Sequence, residues 1–322
     1  TQSPSSAASD VYKRQAFTTY DAQANREEIS DLIANIDPSA TPFMSALGTK
    51  NVNNTTFDWQ TESLPTVSAT GELEGFEITR EASTPTVRES NVCQINSINA
   101  TVSGSQNAVD AVGKRSEMAH QLAIMSKALK RNMETALCQN QAKNAGNATT
   151  ARATRSFEAW VSTNVSRGTG GSNGSASAAA TDATNANRRA LTEALLKGVL
   201  QSMFTNGAEP NLAIAGPVNK QVISGFTGRA NTRATVDAGT ISSSVSIYAS
   251  DFGELQIIPS NRSRDRSLLL VDPEYAKVCF LRNFSTVDIS TIGDAETKML
   301  VAEYGLEVSN EAAHGIVADL TT

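Results

Sequence analysis

Histidine is nearly missing from this chain of 322 residues: it has two, His120 and His314. Cysteine is scarce as well, with Cys93, Cys138 and Cys279 far apart in sequence. No C-x-x-C pair occurs and the histidines lack metalloprotease spacing, which argues against structural zinc and His-rich metal sites. Three scattered thiols make no disulfide framework and suit a reducing cytosol. Aromatics are only 5%, so a core must come mainly from Ala, Val, Ile and Leu. Positive charge is also short: 27 Lys and Arg against 33 Asp and Glu give a formal charge of −6 and a pI near 5.1. Such a chain is a poor candidate for wrapping duplex nucleic acid. No apolar run approaches the roughly 18 residues of a membrane span, and no secretory signal pattern is visible. What is present, at 39% hydrophobic residues, is enough for a real core in one large or two medium domains.

The first fifteen residues, TQSPSSAASDVYKRQ, show no apolar periodicity. DVYKRQ resembles the translation of a transposon-end adapter used for sequencing libraries, which places the natural start near Ala16; the bland alternative is a short disordered tail. Either way they stand outside fold reasoning. Beyond them, Ile29, Leu32, Ile33 and Ile36 form one stripe of a short amphipathic helix, ended by Asp37-Pro38. The following SATPFMSALGTK is an irregular apolar strap.

From Asn53 the pattern turns to period two. Phe57 and Trp59 alternate with polar neighbours, and Ile98, Ala100 and Val102 alternate on the expected return. Between them lies a stretch with Glu72, Glu74, Glu77 and Glu81, read as the acidic tip of a two-stranded excursion that needs a partner surface. The strongest helix runs from Gln106 to about Asn144. Met118, Leu122, Met125, Leu129, Met133 and Leu137 make its apolar stripe, Gly146 closes it, and it is about 45 Å long by sequence at 1.5 Å per residue. Residues 168–185 are rich in Gly, Ser, Ala and Asn and read as a flexible linker. Leu191, Leu195 and Val199 mark a helix, 211–215 a buried strand, and Gly216-Pro217 opens another helix. From Tyr248 short strands follow at 255–258, 268–271, 276–281, 287–289 and 298–308, with Glu303 and Glu307 on the polar side of the last. A small closing element holds Ile316, Val317 and Leu320.

Candidate chemistry is weak throughout. His120 lies off the apolar stripe and reads as a surface or interface histidine, and His314 is read the same way. Two histidines give a Ser-His-Asp hydrolase little support. The three cysteines read as buried small apolar groups. GTGGSNGS lacks the Gly-Lys-Ser/Thr ending of a phosphate loop. The glutamates at 72, 74 and 77 could hold a hard cation but read better as a solvated tip. Arg262, Arg264 and Arg266 suit either a solvated turn or contact with phosphate or with acids of a neighbouring subunit. No catalytic, cofactor-binding or metal-binding residue is assigned, and no cofactor is expected.

The order of these parts resembles the HK97-like fold, that of the major capsid proteins of tailed bacteriophages. The stretches AFTTYDAQANREEISDLIANIDPSATPFMSALG, YASDFGELQIIPS, LLLVDPEYAKVCFLRNF and GDAETKMLVAEYGLEVSNEAAHGIVADL carry the resemblance, from about Phe17 to Leu320. It implies an α+β fold with an N-terminal arm (16–54), a long extended two-stranded loop (55–105), a peripheral domain built on a spine helix (106–165), an α/β axial domain (166–255) and strands returning to the peripheral domain (256–322).

By that resemblance the chain is a structural protein, not an enzyme. It self-assembles into hexamers and pentamers of an icosahedral head around double-stranded DNA, without sequence-specific binding or a membrane. A separate scaffolding protein, a portal and decoration proteins are implied as partners, with assembly in the bacterial cytoplasm and residence in the virion. Candidate inter-subunit contacts are Ile29, Leu32, Ile33 and Ile36 in the arm and Phe57, Trp59, Glu72, Glu74, Phe76 and Glu77 in the loop, whose apolar groups an isolated subunit would leave partly uncovered. Rival readings are a nanocompartment shell of the same fold around enzyme cargo, a hydrolase using His120 or a cysteine, and a surface-layer or adhesion module, which would need an export signal.

Overall fold

The computed structural model describes residues 41–62, 71–77, 85–109, 116–226, 246–290 and 293–322. Ile29, Leu32, Ile33 and Ile36, with the helix expected around them, lie outside the described residues, as does Glu81.

The described chain opens on a short helix α1 (Pro42–Ala46), with proline in its first turn, and a strand β1 (Gly48–Asn51). Strands β2 (Thr56–Thr61) and β3 (Val87–Val92) pair antiparallel into a ribbon. Then come β4 (Gln94–Ser103), α2 (Gly104–Ala108) and the spine helix α3 (Glu117–Cys138). A single turn α4 (Phe157–Trp160), β5 (Val165–Ser166), α5 (Glu193–Thr205), β6 (Leu212–Ala215) and α6 (Pro217–Ser224) follow. The rest is strands: β7 (Ile247–Ser250), β8 (Gly253–Pro259), β9 (Leu268–Val271), β10 (Ala276–Ile289), β11 (Ala295–Val308) and β12 (Gly315–Val317).

These strands form a four-stranded sheet ordered β1-β10-β11-β4 and a six-stranded sheet ordered β5-β12-β9-β6-β8-β7. In the six-stranded sheet the runs LAIA and LLLV are buried on both faces, which is why they lack alternation. Leu212, Ile214, Leu269, Val271 and Ile316 face a core shared with the spine helix and the four-stranded sheet. Ala213, Ala215, Leu268, Leu270 and Val317 lie under α5 and α6. The segment 256–322 is therefore divided: β10 and β11 build the four-stranded sheet, whereas β9 and β12 stay in the six-stranded one.

The spine starts where Ser116 accepts a hydrogen bond from the Ala119 amide, a regular N-cap. Its stripe packs as the spacing predicts, with Met118, Leu129, Met133 and Leu137 buried and Leu122 and Met125 half-buried against the core. It stops at Cys138, however, and spans 22 residues, about 33 Å at 1.5 Å per residue. Beyond Cys138 come the polar residues Gln139, Asn140 and Gln141, which give a further turn nothing to hold it on the core. Gly146, with φ +71, serves the turn bridged by Asn144 and Ala153 instead of closing the helix.

Two further expectations fail for identifiable reasons. The strand returning from the ribbon is β3, not the segment around Ile98–Val102, which pairs with β11 in the four-stranded sheet. The sequence VRESNV has too few apolar residues to advertise a strand. The Gly-rich stretch 168–185 is a packed loop, not a linker. The Asp319 carboxylate accepts from the Gly168 amide at 3.0 Å and the Ala183 amide at 2.8 Å, and the Asn140 side chain bonds both the N–H and the C=O of Ala180. A Cβ on Gly171 would stand 2.4 Å from the Asp319 carboxylate, so glycine is required by close approach there. Ser172, within the run GGSNG, bridges Thr181 in this loop and occupies no strand-to-helix elbow of the kind a hydrolase nucleophile needs.

Candidate functional site

Among the described residues no catalytic set is in view, and a surface that could act on another molecule is the ribbon with residues 71–77. The ribbon base is fixed to the body. On β2, Phe57 and Trp59 point the same way, their rings stacked at 5.9 Å, and Trp59 lies 5.3 Å from Trp160. Arg155 lies over the Trp160 ring at 4.0 Å, a desolvated cation–π contact. Phe57 is buried with Cys93 and Cys279, its ring laid on Gly305, where a Cβ would come within 2.6 Å of the ring. An isolated subunit thus covers Phe57 by itself, contrary to the expectation that this ring waits for a neighbour, and Trp59 is half-buried by its own chain.

A residue that gave no sequence signal completes the anchor. Asn91 on β3 is fully buried, and its side chain uses every polar direction. Its Nδ2 donates to the Leu306 carbonyl at 2.6 Å and the Arg155 carbonyl at 3.2 Å, while Oδ1 accepts from the Arg155 and Val92 amides, each at 2.9 Å. Lys143 adds a bond to the Ser90 hydroxyl at 2.7 Å. Only the known fate of the backbone carbonyls would have revealed Asn91 in advance, because a lone Asn in a polar strand looks like any surface residue.

At the other end the chemistry reverses. Glu72, Glu74 and Glu77 are exposed, and beside them Leu73 is 84% and Phe76 52% exposed. The Phe76 amide donates to the Leu73 carbonyl at 3.0 Å, closing a turn whose third residue, Gly75, takes φ +84, a position that favours glycine. Two large apolar side chains thus stand exposed among acids. The sequence placed the acids here; Leu73 went unremarked because a single Leu has no periodicity.

The other candidates are absorbed by the chain itself. Arg264 donates to Glu158 at 2.9 Å and pairs with Asp182, which Arg266 approaches at 3.4 Å. Arg264 and Arg266 thus answer acids of their own chain. Glu303 and Glu307 are buried, not solvent-facing: Arg152 and Arg282 (2.8 Å) hold the first, and Lys50 (2.8 Å) the second. A charged pair removed from water in this way stays only because each carboxylate is met. Cys93, Cys138 and Cys279 are free and buried, and burial raises all three thiols, Cys93 to about 11. They are poor nucleophiles.

His120 is half-buried on the spine. His314, expected near the surface, is fully buried: its Nδ1 accepts from the Asp272 amide at 3.2 Å, and its ring meets Phe157 edge-on at 5.1 Å. Among the described residues no three His, Cys, Asp or Glu side chains gather as a metal site, and no helix is long and apolar enough to cross a membrane.

Comparison with known proteins agrees with a structural role. Residues 15–321 match the SU10 major capsid protein family. Over 128 residues the chain is 33% identical to the major capsid protein of Escherichia phage Phieco32, covering 39% of this chain and 36% of that one, so the match spans about a third of the relative's length. The fold is shared with the capsid asymmetric unit of cyanophage A-1(L), with a TM-score of 0.64 at 12% identity over 95% of this chain and 99% of the other. It is also shared with the holo-SrpI encapsulin complex of Synechococcus elongatus, with a TM-score of 0.55 at 14% identity over 97% and 95%.

Proposed function

Because the chain belongs to the SU10 major capsid protein family, we propose that many copies of it build the closed icosahedral head of a tailed phage, as hexamers and pentamers around double-stranded DNA, with no catalysis of its own. The observation that carries the reading is the ribbon: a base locked into the body by Asn91 and Phe57, and a tip that exposes Leu73 and Phe76 among acids. A protein that acts alone gains nothing from such a projection. One that tiles gains a contact that orients its neighbour, with the acids supplying direction more than affinity.

The arm residues Ile29, Leu32, Ile33 and Ile36, the loop residue Phe76, and the acids Glu72, Glu74 and Glu77 belong to this proposal as contacts with adjacent copies, whereas Phe57 and Trp59 are taken up by the subunit's own body. Many modest contacts add through multivalency, over interfaces of the order of 2,000 Å² or more. A scaffolding protein, a portal and decoration proteins are proposed as partners, with assembly in the bacterial cytoplasm. The net acidity of −6 fits a container that must not grip its polyanionic content.

The test is sizing chromatography followed by negative-stain microscopy of the chain, expressed alone and with its scaffold. Closed shells or capsomer-sized rings support the reading. A chain that stays monomeric with scaffold present overturns it. The likeness to the encapsulin complex makes a shell around protein cargo the second reading. Nuclease-protected DNA inside purified particles excludes that reading, and cargo protein without DNA establishes it.

A further inference from the structure

The dipeptide Asn-Gly occurs twice in the chain, at 173–174 and 206–207, and the fold treats the two differently. It is the pair in which an asparagine side chain closes most readily on the backbone, because no Cβ shields the glycine nitrogen. At the first, the Asn173 amide is tied at both ends: Oδ1 accepts from Arg167 Nε at 3.0 Å, and Nδ2 donates to the Ser162 carbonyl at 2.7 Å. Gly174 is buried, and a Cβ on it would stand 2.5 Å from the Ala159 carbonyl oxygen. Turning the Asn173 side chain onto the Gly174 nitrogen therefore requires the packed loop to open.

The second pair ends helix α5. Asn206 and Gly207 are exposed, and nothing lies within 4 Å of the place a Gly207 Cβ would take. Gly207 adopts φ +81, and its amide donates to the Phe204 carbonyl at 2.9 Å. A closing turn of this kind opens locally while the body stays folded. The Asn206 side chain is held by one bond, from its Nδ2 to Oδ1 of Asn164 at 2.7 Å. Asn164 is buried and acts as a junction. The same Oδ1 accepts from the Ser202 hydroxyl at 2.8 Å, and Nδ2 donates to the Ala312 and His314 carbonyls at 2.7 and 3.1 Å.

We infer that Asn206 is a site of spontaneous covalent modification in the folded chain, and that Asn173, in the same dipeptide, is protected from it. The Gly207 nitrogen, released from Phe204 and giving up its proton, attacks Cγ of Asn206. A new bond from that nitrogen to Cγ forms, the bond from Cγ to Nδ2 breaks, and ammonia leaves. Water then opens the cyclic imide at either carbonyl, giving aspartate or its β-linked isomer, with no oxidant or reductant consumed. The consequence falls on Asn164. A carboxylate brings no hydrogen to its Oδ1, and the new charge stands at the C-terminal end of α5, where the helix dipole opposes it. Nothing in this chemistry depends on the shell reading.

Peptide mapping by mass spectrometry, with the aspartate and β-linked products separated, tests it on the full native chain held at pH 8.5 and 37 °C beside the urea-unfolded chain. In the native chain Asn206 is expected to convert at least about tenfold faster than Asn173, and in the unfolded chain the two should convert at similar rates. Native Asn173 converting as fast as Asn206 overturns the inference. So does an Asn206 that stays intact in the native chain while it reacts in the unfolded one. Asn206→Asp stands in for the main product and should melt below the wild type. An unmoved melting temperature in that variant overturns the consequence drawn for Asn164.

Discussion

His314 sits where gaining a proton does damage. Its ring is sealed in the core against Phe157, and burial lowers its pKa from 6.5 to about 4. The unfolded chain therefore binds this proton more readily than the folded one between those values. Stability is lost as pH falls from about 6.5 toward 4, and the loss amounts to roughly 3 kcal/mol. Urea unfolding of the wild type and of His314→Leu at pH 7 and pH 4.5 checks this: the wild type should lose more between the two conditions by about that amount. The thiols allow a second prediction at this scale. All three cysteines are buried with raised pKa, so Ellman's reagent at pH 8 should find almost no thiol in the native chain and all three after denaturation. The buried thiols were legible in the sequence; the environment of His314 was not. A histidine beside a glycine near the C-terminus reads as surface, and only the packing of residues more than a hundred positions away makes it core.

Among the elements, the spine was the most legible, because six apolar residues at steps of three and four have no other use. Its end was not, since termination depends on where the core stops. Strand β3 stayed hidden for the opposite reason: its hold comes from Asn91 and a pairing partner, not from apolar side chains. Glu303 and Glu307 misled because alternation normally means one wet face, whereas Arg152, Arg282 and Lys50 neutralise them inside. Composition alone pointed to a linker at 168–185, yet Asp319 gathers that loop from the far end of the chain, at φ 59, a conformation Asp tolerates better than most residues. Asp319→Ala leaves one buried and one half-buried amide unpaired and should cost about 2–4 kcal/mol. Gly171→Ala, which drives a Cβ into the same carboxylate, should lower stability too. The double variant should lose clearly less than the two losses added, because both act on one contact. Thermal unfolding of the four proteins measures the cycle.

At the scale of the whole molecule the candidate site was half legible. Acids in a row at the loop tip were visible, but that Phe57 and Trp59 serve the anchor and Leu73 and Phe76 the tip could be seen only once the ribbon was folded. The division of labour predicts a separation of effects. Reversing Glu72, Glu74 and Glu77 to Lys changes exposed side chains only and should leave the melting temperature of the free subunit within a degree or two, yet block particle formation. Asn91→Ala should do the reverse first, destabilising the free subunit by roughly 2–4 kcal/mol through four lost hydrogen bonds in the interior. Calorimetry of the subunit beside light scattering of the assembly separates the two.

The two sheets and the spine meet in one continuous core, where Leu212, Ile214, Leu269 and Ile316 touch the same cluster as Leu129, Met133, Tyr304 and Leu306. Close-packed interiors resist compression and pass strain on. A load on strands β2 and β3 therefore enters the body through Asn91 and Phe57 and is shared by both sheets. Among the described residues the two sheets and the spine are thus coupled through one interior, so a strain imposed on either sheet is felt by the other.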